Sequence, residues 1–316
     1  MDFISATILS ISAVNIELLR RSLMENKIRK KRINIAFYAM TIPMAILFFI
    51  FHTYPFLQGI FYSFTDWKGY GVWKFVGLRN YLQMFKDPNI TQSYFFTFKF
   101  AFWATICVNV FSLLLACGLN AKIKCKNLLK AVYFLPYMLG TLIIGYVFNY
   151  IFANIIPSMG QALGIDALSV NILGTGKAWY GILFVTIWQS LAFNTLIYLA
   201  GLQTVDRDLY ESAAIDGATG WKRFSKITFP LIAPFFTINM VLCVKGYLMA
   251  FDQIVALTGG GPGVSTTTIS LLIYKKGFQG AQFAYQSANA VVLFLVVVII
   301  SIFQLRVLER REEKID

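Results

Sequence analysis

Charge is what this chain has least of. Asp, Glu, Lys and Arg make up 14% of its 316 residues, where a soluble domain carries roughly 25%. An ordinary water-facing surface is therefore excluded. Histidine occurs once, as His52, so no Ser/His/Asp arrangement can form, and no paired carboxylates stand at a useful spacing. His52 reads as an interfacial aromatic near the end of the first apolar run, not as a ligand. The four cysteines, Cys107, Cys117, Cys125 and Cys243, show no metal-ligand spacing, and none falls in the stretches expected on the outer side, where a disulfide could persist. The nearest approach to a phosphate loop, Gly174-Thr175-Gly176-Lys177-Ala178, lacks the upstream Gly, the strand ahead and the Ser/Thr after Lys. Gly259-Gly260-Gly261-Pro262-Gly263 has no Lys and reads as a tight turn, where Gly supplies positive φ and Pro stops a helix. Nothing here performs catalysis, and no cofactor or metal is expected on this chain.

Apolar sequence is what remains. Hydrophobic residues reach 58% and the mean hydropathy is +0.65. Uncharged runs cover 33–65, 100–121, 131–165, 178–205, 227–244 (continuing past Lys245 to Phe251) and 277–305. Each supplies the ~20 residues that cross a hydrocarbon core as a helix. The expected fold is an all-α integral membrane protein of six transmembrane helices over 35–305, with a segment at 1–34 before them and a tail at 306–316. Residues 1–23 are apolar but lack a basic start, so they fit a signal peptide poorly and suit an interfacial helix better. Met24 would be a natural start, and the cluster Lys27-Ile28-Arg29-Lys30-Lys31-Arg32 an anchor before the first span.

Basic residues set the orientation. Segments 1–34, 122–130, 203–229 and 306–316 hold 19 of the 28 Lys and Arg, and the intervening loops on the other side hold 7. The excess places both termini in the cytoplasm of a bacterial plasma membrane. The net charge of +13 is then accounted for by topology and anionic headgroups. A nucleic-acid partner would need a soluble basic surface, which is missing.

One cytoplasmic segment, 203–230, is unlike a simple connector. It reads Tyr210-Glu211-Ser212-Ala213-Ala214-Ile215-Asp216-Gly217-Ala218, and later Ile227-Thr228-Phe229-Pro230. Its small residues let another protein approach the backbone. Glu211 is expected in the first turn of a helix, with Glu211, Ala214 and Ala218 at i, i+3 and i+7 forming one face. Trp221, Lys222, Arg223 and Lys226 follow as anchors.

These residues carry a family resemblance. Glu211, Ala213, Gly217, Ile227 and Pro230 match the cytoplasmic signature of permease subunits of binding-protein-dependent ATP-binding-cassette importers, with Ser212 replacing Ala and Phe229 replacing Leu. Phe64-Thr65-Asp66-Trp67, Phe75-Val76-Gly77-Leu78-Arg79-Asn80-Tyr81, Tyr133-Phe134-Leu135-Pro136 and Leu257-Thr258-Gly259-Gly260-Gly261-Pro262-Gly263 resemble, in order, further parts of the carbohydrate permeases of the maltose and glycerol-3-phosphate type. The resemblance implies a type I importer fold with a cytoplasmic coupling helix, paired with a second homologous permease. It also implies two ATPase subunits, which bind the ATP and Mg, and an extracytoplasmic solute-binding protein. Glu211, Ser212, Ala213, Ala214, Asp216, Gly217, Ala218, Ile227 and Pro230 are the expected ATPase-coupling residues.

A substrate pathway is expected in spans four and five. Thr186, Ser190, Phe193 and Asn194 share a helical face, with Trp188 and Gln189 beside it. Tyr247, Phe251 and Asp252 lie in span five. Aromatic planes with amides and hydroxyls suit sugar rings, although polar groups in spans also serve helix contacts. Lys245 and Asp252, seven residues apart, are expected on one face of one helix. Two other readings stay open: a permease for a solute such as a glycerol phosphodiester, for which Lys245 could matter, and a self-contained secondary carrier, which would need charge relays or an internal repeat of broken helices.

Overall fold

The computed structural model describes residues 37–121, 131 and 134–312, with side chains to 308. The basic cluster at 27–32, the possible start at Met24, the loop 122–130 with Cys125, and the last four residues lie outside the described residues. The chain divides into two compact units, 1–61 and 62–316.

The first unit contains nearly all of α1 (Phe37–Tyr62). Its five-residue π-helical stretch, Phe49–Thr53, ends two residues before Pro55. Proline offers no N–H, and its ring crowds the carbonyl four residues back. A widened turn relieves that crowding without ending the helix. The same arrangement recurs at Ile151–Ile155 before Pro157 and at Phe224–Thr228 before Pro230.

The second unit holds the remaining elements. After a loop closed by the bridge between Thr65 and Phe75 come α2 (Arg79–Met84) and α3 (Pro88–Asn120). Asp87 caps α3 by accepting the Asn89 N–H at 2.9 Å, with Pro88 at the first helical position, where its missing donor costs nothing. Then follow α4 (Thr141–Leu163), α5 (Ala178–Thr204), α6 (Arg207–Ile215), α7 (Gly220–Leu231), α8 (Ala233–Leu248), α9 (Asp252–Leu257), α10 (Ile269–Tyr274) and α11 (Phe283–Glu312).

Helix α3 is the axis of the packing, lying along α5 and α8, while α4 packs on α9 and α11 on α8. Lipid tails are as apolar as Leu, so close fit, not hydrophobicity, holds such helices together. Small residues provide it: a Cβ at Gly145 would collide with the Ala256 methyl, and one at Gly201 would lie 2.6 Å from the Phe235 ring. Lys99 is held over the Trp179 ring at 4.1 Å, a cation–π contact that gives this charge an aromatic partner.

Five helices among the described residues are long and apolar enough to span a membrane, and a sixth span is made if the bent pair α7 and α8 counts as one. Their bounds correct the sequence reading. The second span starts at Pro88, twelve residues before the charge-free run, because Lys99 is tolerated inside it. The third is interrupted at Leu139 and Gly140, where Gly140 is extended (φ −61°, ψ 138°). The fifth bends by 70° between α7 and α8, where Pro230 and Pro234 flank Ile232. It then ends at Leu248, and Met249–Phe251 is not helical. Thr268 Oγ1 donates to the Ala250 carbonyl at 2.8 Å, satisfying a group the break would leave bare. Lys245 and Asp252 are thus not on one face of one helix. The last span starts at Phe283, after the turn that closes α10.

Candidate functional site

The two interrupted spans meet at a cavity of about 750 Å³. Leu139, Gly140 and Thr141 line it from the first interruption, and Met249, Ala250 and Phe251 from the second. Non-helical backbone at membrane depth is tolerated where it borders a cavity or is buried in protein, and both interruptions fit that rule. Helix α5 supplies Gln189, Ser190, Phe193 and Asn194; α8 supplies Cys243 and Tyr247; α9 supplies Asp252 and Gln253.

Seven of the nine residues expected on the pathway line this cavity. The other two do not. Thr186 is fully buried and bonds to the Ile182 carbonyl at 2.8 Å and to Gln253 Oε1 at 2.7 Å. Trp188 sits edge-on to Phe148, 5.2 Å away, and borders an apolar surface groove with Phe111, Leu114 and Phe184. About half a helical turn, roughly two residues, separates the cavity side of α5 at Ser190 from its surface side at Trp188, so the run of residues alone could not assign Trp188.

The polar lining is ordered by its own hydrogen bonds. Gln189 Nε2 donates to the Leu139 carbonyl and to Thr141 Oγ1, each at 3.3 Å, and its Oε1 accepts from Gln253 Nε2 at 2.9 Å. This chain of amides links α4, α5 and α9. Asn194 is committed elsewhere: its Nδ2 donates to the Ser190 carbonyl at 2.8 Å, its Oδ1 accepts from Cys243 Sγ at 3.2 Å, and its carbonyl accepts from Asn239 Nδ2 at 3.2 Å. It borders the cavity with its hydrogen-bonding capacity largely used. Tyr247, half-buried, meets Phe100 edge to face at 6.2 Å.

The sequence reading missed Tyr137. Its ring stacks on Phe193 at 5.3 Å with an interplanar angle of 13°, and both rings border the cavity. Tyr137 follows Pro136 directly, so a motif was present. Its pairing with a residue 56 positions later was not readable. Gln253 was missed for the same reason. Lys245 does not line the cavity, and Asp252 is the one charged residue among the described lining residues.

At the other end of α5 lies the segment 203–230. Asp206 caps α6 by accepting the Asp208 N–H at 3.1 Å. Asp208 is the acid of the first turn; Glu211 stands one turn further on, which corrects its expected position. Gly217 closes the helix with φ +70°. The Ala218 N–H reaches the Ala213 carbonyl at 2.9 Å and the Gly217 N–H the Ala214 carbonyl at 3.1 Å, the paired bonds of a Schellman termination. Ala218 therefore lies past the cap and does not share a helical face with Glu211 and Ala214.

Glu211, Ser212, Ala214, Asp216 and Gly217 are exposed, and Ala213 is buried against the rest of the protein. Ile215, absent from the expected set, is 88% exposed. Tyr210 and Ile227 pack on a cluster from α3, α5 and the α7–α8 bend that includes Leu119, Tyr198, Leu202 and Ile232. Tyr210 and Thr228 join their hydroxyls at 2.9 Å. Pro230 is half-buried at the start of the helical turn after the π stretch. The segment is thus fixed on its inner side and bare on its outer side.

Comparison with known proteins agrees with this architecture. The family described as the binding-protein-dependent transport system inner membrane component matches residues 108–314. The Probable starch degradation products transport system permease protein AmyD of Thermoanaerobacterium thermosulfurigenes is 36% identical over 82% of this chain and 88% of its own. The Multiple sugar-binding transport system permease protein MsmF of Streptococcus mutans is 36% identical over 86% and 94%. Among solved structures, a bacterial transporter involved in the import of the acidic polysaccharide alginate superposes with a TM-score of 0.77, covering 88% of this chain and 96% of that one at 23% identity.

Proposed function

The chain belongs to the family of binding-protein-dependent transport system inner membrane components, and we propose that within it this protein is the permease subunit of an ATP-driven importer of oligosaccharides. The observation that carries the sugar reading is the cavity. It joins a stacked aromatic pair, Tyr137 and Phe193, to a row of amides at Gln189 and Gln253. Ring faces pack on the C–H faces of sugars, and amides serve hydroxyls. The relatives named for starch degradation products and multiple sugars support the same substrate class. A lining whose one charged member is Asp252 does not suit an anionic phosphodiester.

In this reading a second permease completes the pathway, a solute-binding protein delivers sugar from outside, and two ATPases bind ATP with its magnesium in the cytoplasm. Both termini lie on the ATPase side. The bare face of α6, with Glu211, Ala214 and Ile215, seats in an ATPase. Because Tyr210 and Ile227 lock the segment to α3 and α5, closure of the ATPases moves those spans as one body and exposes the cavity alternately to each side.

Reconstituted with its partner subunits, the protein should take up labelled maltooligosaccharide in an ATP-dependent way. Tyr137→Ala should lower uptake about fivefold, from the loss of one stacking contact of roughly 1 kcal/mol. ATP hydrolysis stimulated by the loaded binding protein should persist. Uptake without any ATPase would mean a self-contained carrier and sink the proposal.

A further inference from the structure

We propose that α2, with the turn before it, is a seat for an anionic phospholipid in the leaflet at the start of α3. Three rows run along this helix. Asn80 and Met84 form the inner row. Asn80 Nδ2 donates to the carbonyls of Ser63 and Thr65 at 2.8 and 2.7 Å, and Met84 enters a core cluster with Ile90, Leu248 and Leu293. Leu78, Leu82 and Phe85, at i, i+4 and i+7, form an apolar row that points away from the protein, with Leu82 66% and Phe85 75% exposed. Arg79, Gln83 and Lys86 form the third row, also exposed. A groove of about 410 Å³ runs between the apolar and basic rows, lined by Val76, Leu78, Arg79, Leu82, Gln83 and Lys86.

An exposed apolar row beside a basic row is the pattern of a helix lying in a membrane interface. The depth is right. Helix α3 has 33 residues and is therefore about 50 Å long, against a hydrocarbon core of about 30 Å. Its first turns rise into the headgroup layer, and the three residues 85–87 hold α2 at that level.

The charge is unspent. Asp66 accepts the Lys74 N–H at 2.6 Å, and Asp87 is engaged by the Asn89 N–H and by Lys276 at 3.5 Å. Among the described residues, neither Arg79 nor Lys86 has an acidic partner. A lipid phosphate between Arg79 and Lys86, with its acyl chains along Leu78 and Leu82, satisfies both rows. A soluble protein partner would have to cover the apolar row without the bilayer's help.

The test uses the full chain with its native cysteines replaced by Ser or Ala, carrying Leu82→Cys labelled with an environment-sensitive dye. It is reconstituted in phosphatidylcholine nanodiscs with a rising fraction of phosphatidylglycerol. A seated α2 gives blue-shifted emission, quenched by a spin label near the lipid carbonyls and little by aqueous iodide, with a saturable response to phosphatidylglycerol. Each charge is worth about fivefold in affinity, so Arg79→Gln with Lys86→Gln should move the midpoint about 25-fold, and Arg79→Lys with Lys86→Arg should leave it in place. Free quenching by iodide, or indifference to phosphatidylglycerol, overturns the proposal. So does shielding that appears only when a solute-binding protein or second permease is added.

Discussion

The packing of α4 on α9, two helices that border the cavity, depends on one close approach at Gly145 and Ala256, and Gly145→Ala tests it. A Cβ at position 145 would overlap the Ala256 methyl and lie 3.6 Å from the Ala256 Cα. Carbon atoms settle about 3.5–4.0 Å apart, so α4 and α9 would have to part by about 1 Å. Overpacking of this kind costs about 1–3 kcal/mol, and Ala returns up to about 1 kcal/mol through helix propensity. A net loss of about 1–2 kcal/mol is expected. The separation would also strain the amide chain through Gln189 and Gln253 and the 2.6 Å bond from Asn149 to the Leu257 carbonyl. Ala256→Gly removes the opposing methyl, so the double variant should recover most of the loss. Reversible unfolding in mixed micelles, run on wild type, both singles and the double, gives the coupling directly. Effects that add within about 0.5 kcal/mol mean the two positions are independent, and the close-approach argument would be refuted.

Three further outcomes follow from the geometry. Gly217→Ala meets no atom within 4 Å but must hold φ +70°, so it should cost about 1–2 kcal/mol and speed amide exchange at 217 and 218. Gly217→Asn should cost less, and equal exchange in both variants would count against the cap. At Asp87, burial pushes the carboxyl up, but the Asn89 hydrogen bonds and the Lys276 charge outweigh it, and its pKa lies below the usual value. Its stabilisation is therefore present above the unfolded pKa of roughly 4 and is lost as pH falls through the folded value. Asp87→Asn keeps the cap, so it should cost up to about 1 kcal/mol at pH 7, with the gap between the two thermal melts closing in acid. Asn194→Ala should destabilise the protein by about 1–2 kcal/mol, since it removes the side-chain bonds to Cys243 Sγ and the Ser190 carbonyl while the backbone acceptor of Asn239 stays in place. A normal melt with altered sugar choice would show instead that its amide serves substrate.

Much of this was legible from composition and local order. Continuous apolar runs of ~20 residues, without the alternation of a barrel strand, read as helices, because such a segment in lipid can satisfy its backbone polar groups within itself. The expectation of six spans, the glycine turn at 259–263 and the spaced residues Glu211, Gly217 and Pro230 all rest on such local rules. The tertiary structure decided what local rules leave degenerate. At Met249–Phe251 no strong helix breaker stands, and the break is maintained from outside by Thr268, so hydropathy read through it and put Lys245 and Asp252 on one helix. In α5 every face is apolar enough to be buried, so periodicity could not tell that Gln189 turns to the cavity and Trp188 to an apolar surface groove. Tyr137 and Phe193 become a site only when the chain brings them together. Sequence determines which segments must be helices in a membrane, because that follows from each residue's own solvation. Which helix face becomes the pathway depends on partners distant in the chain, and only packing chooses them.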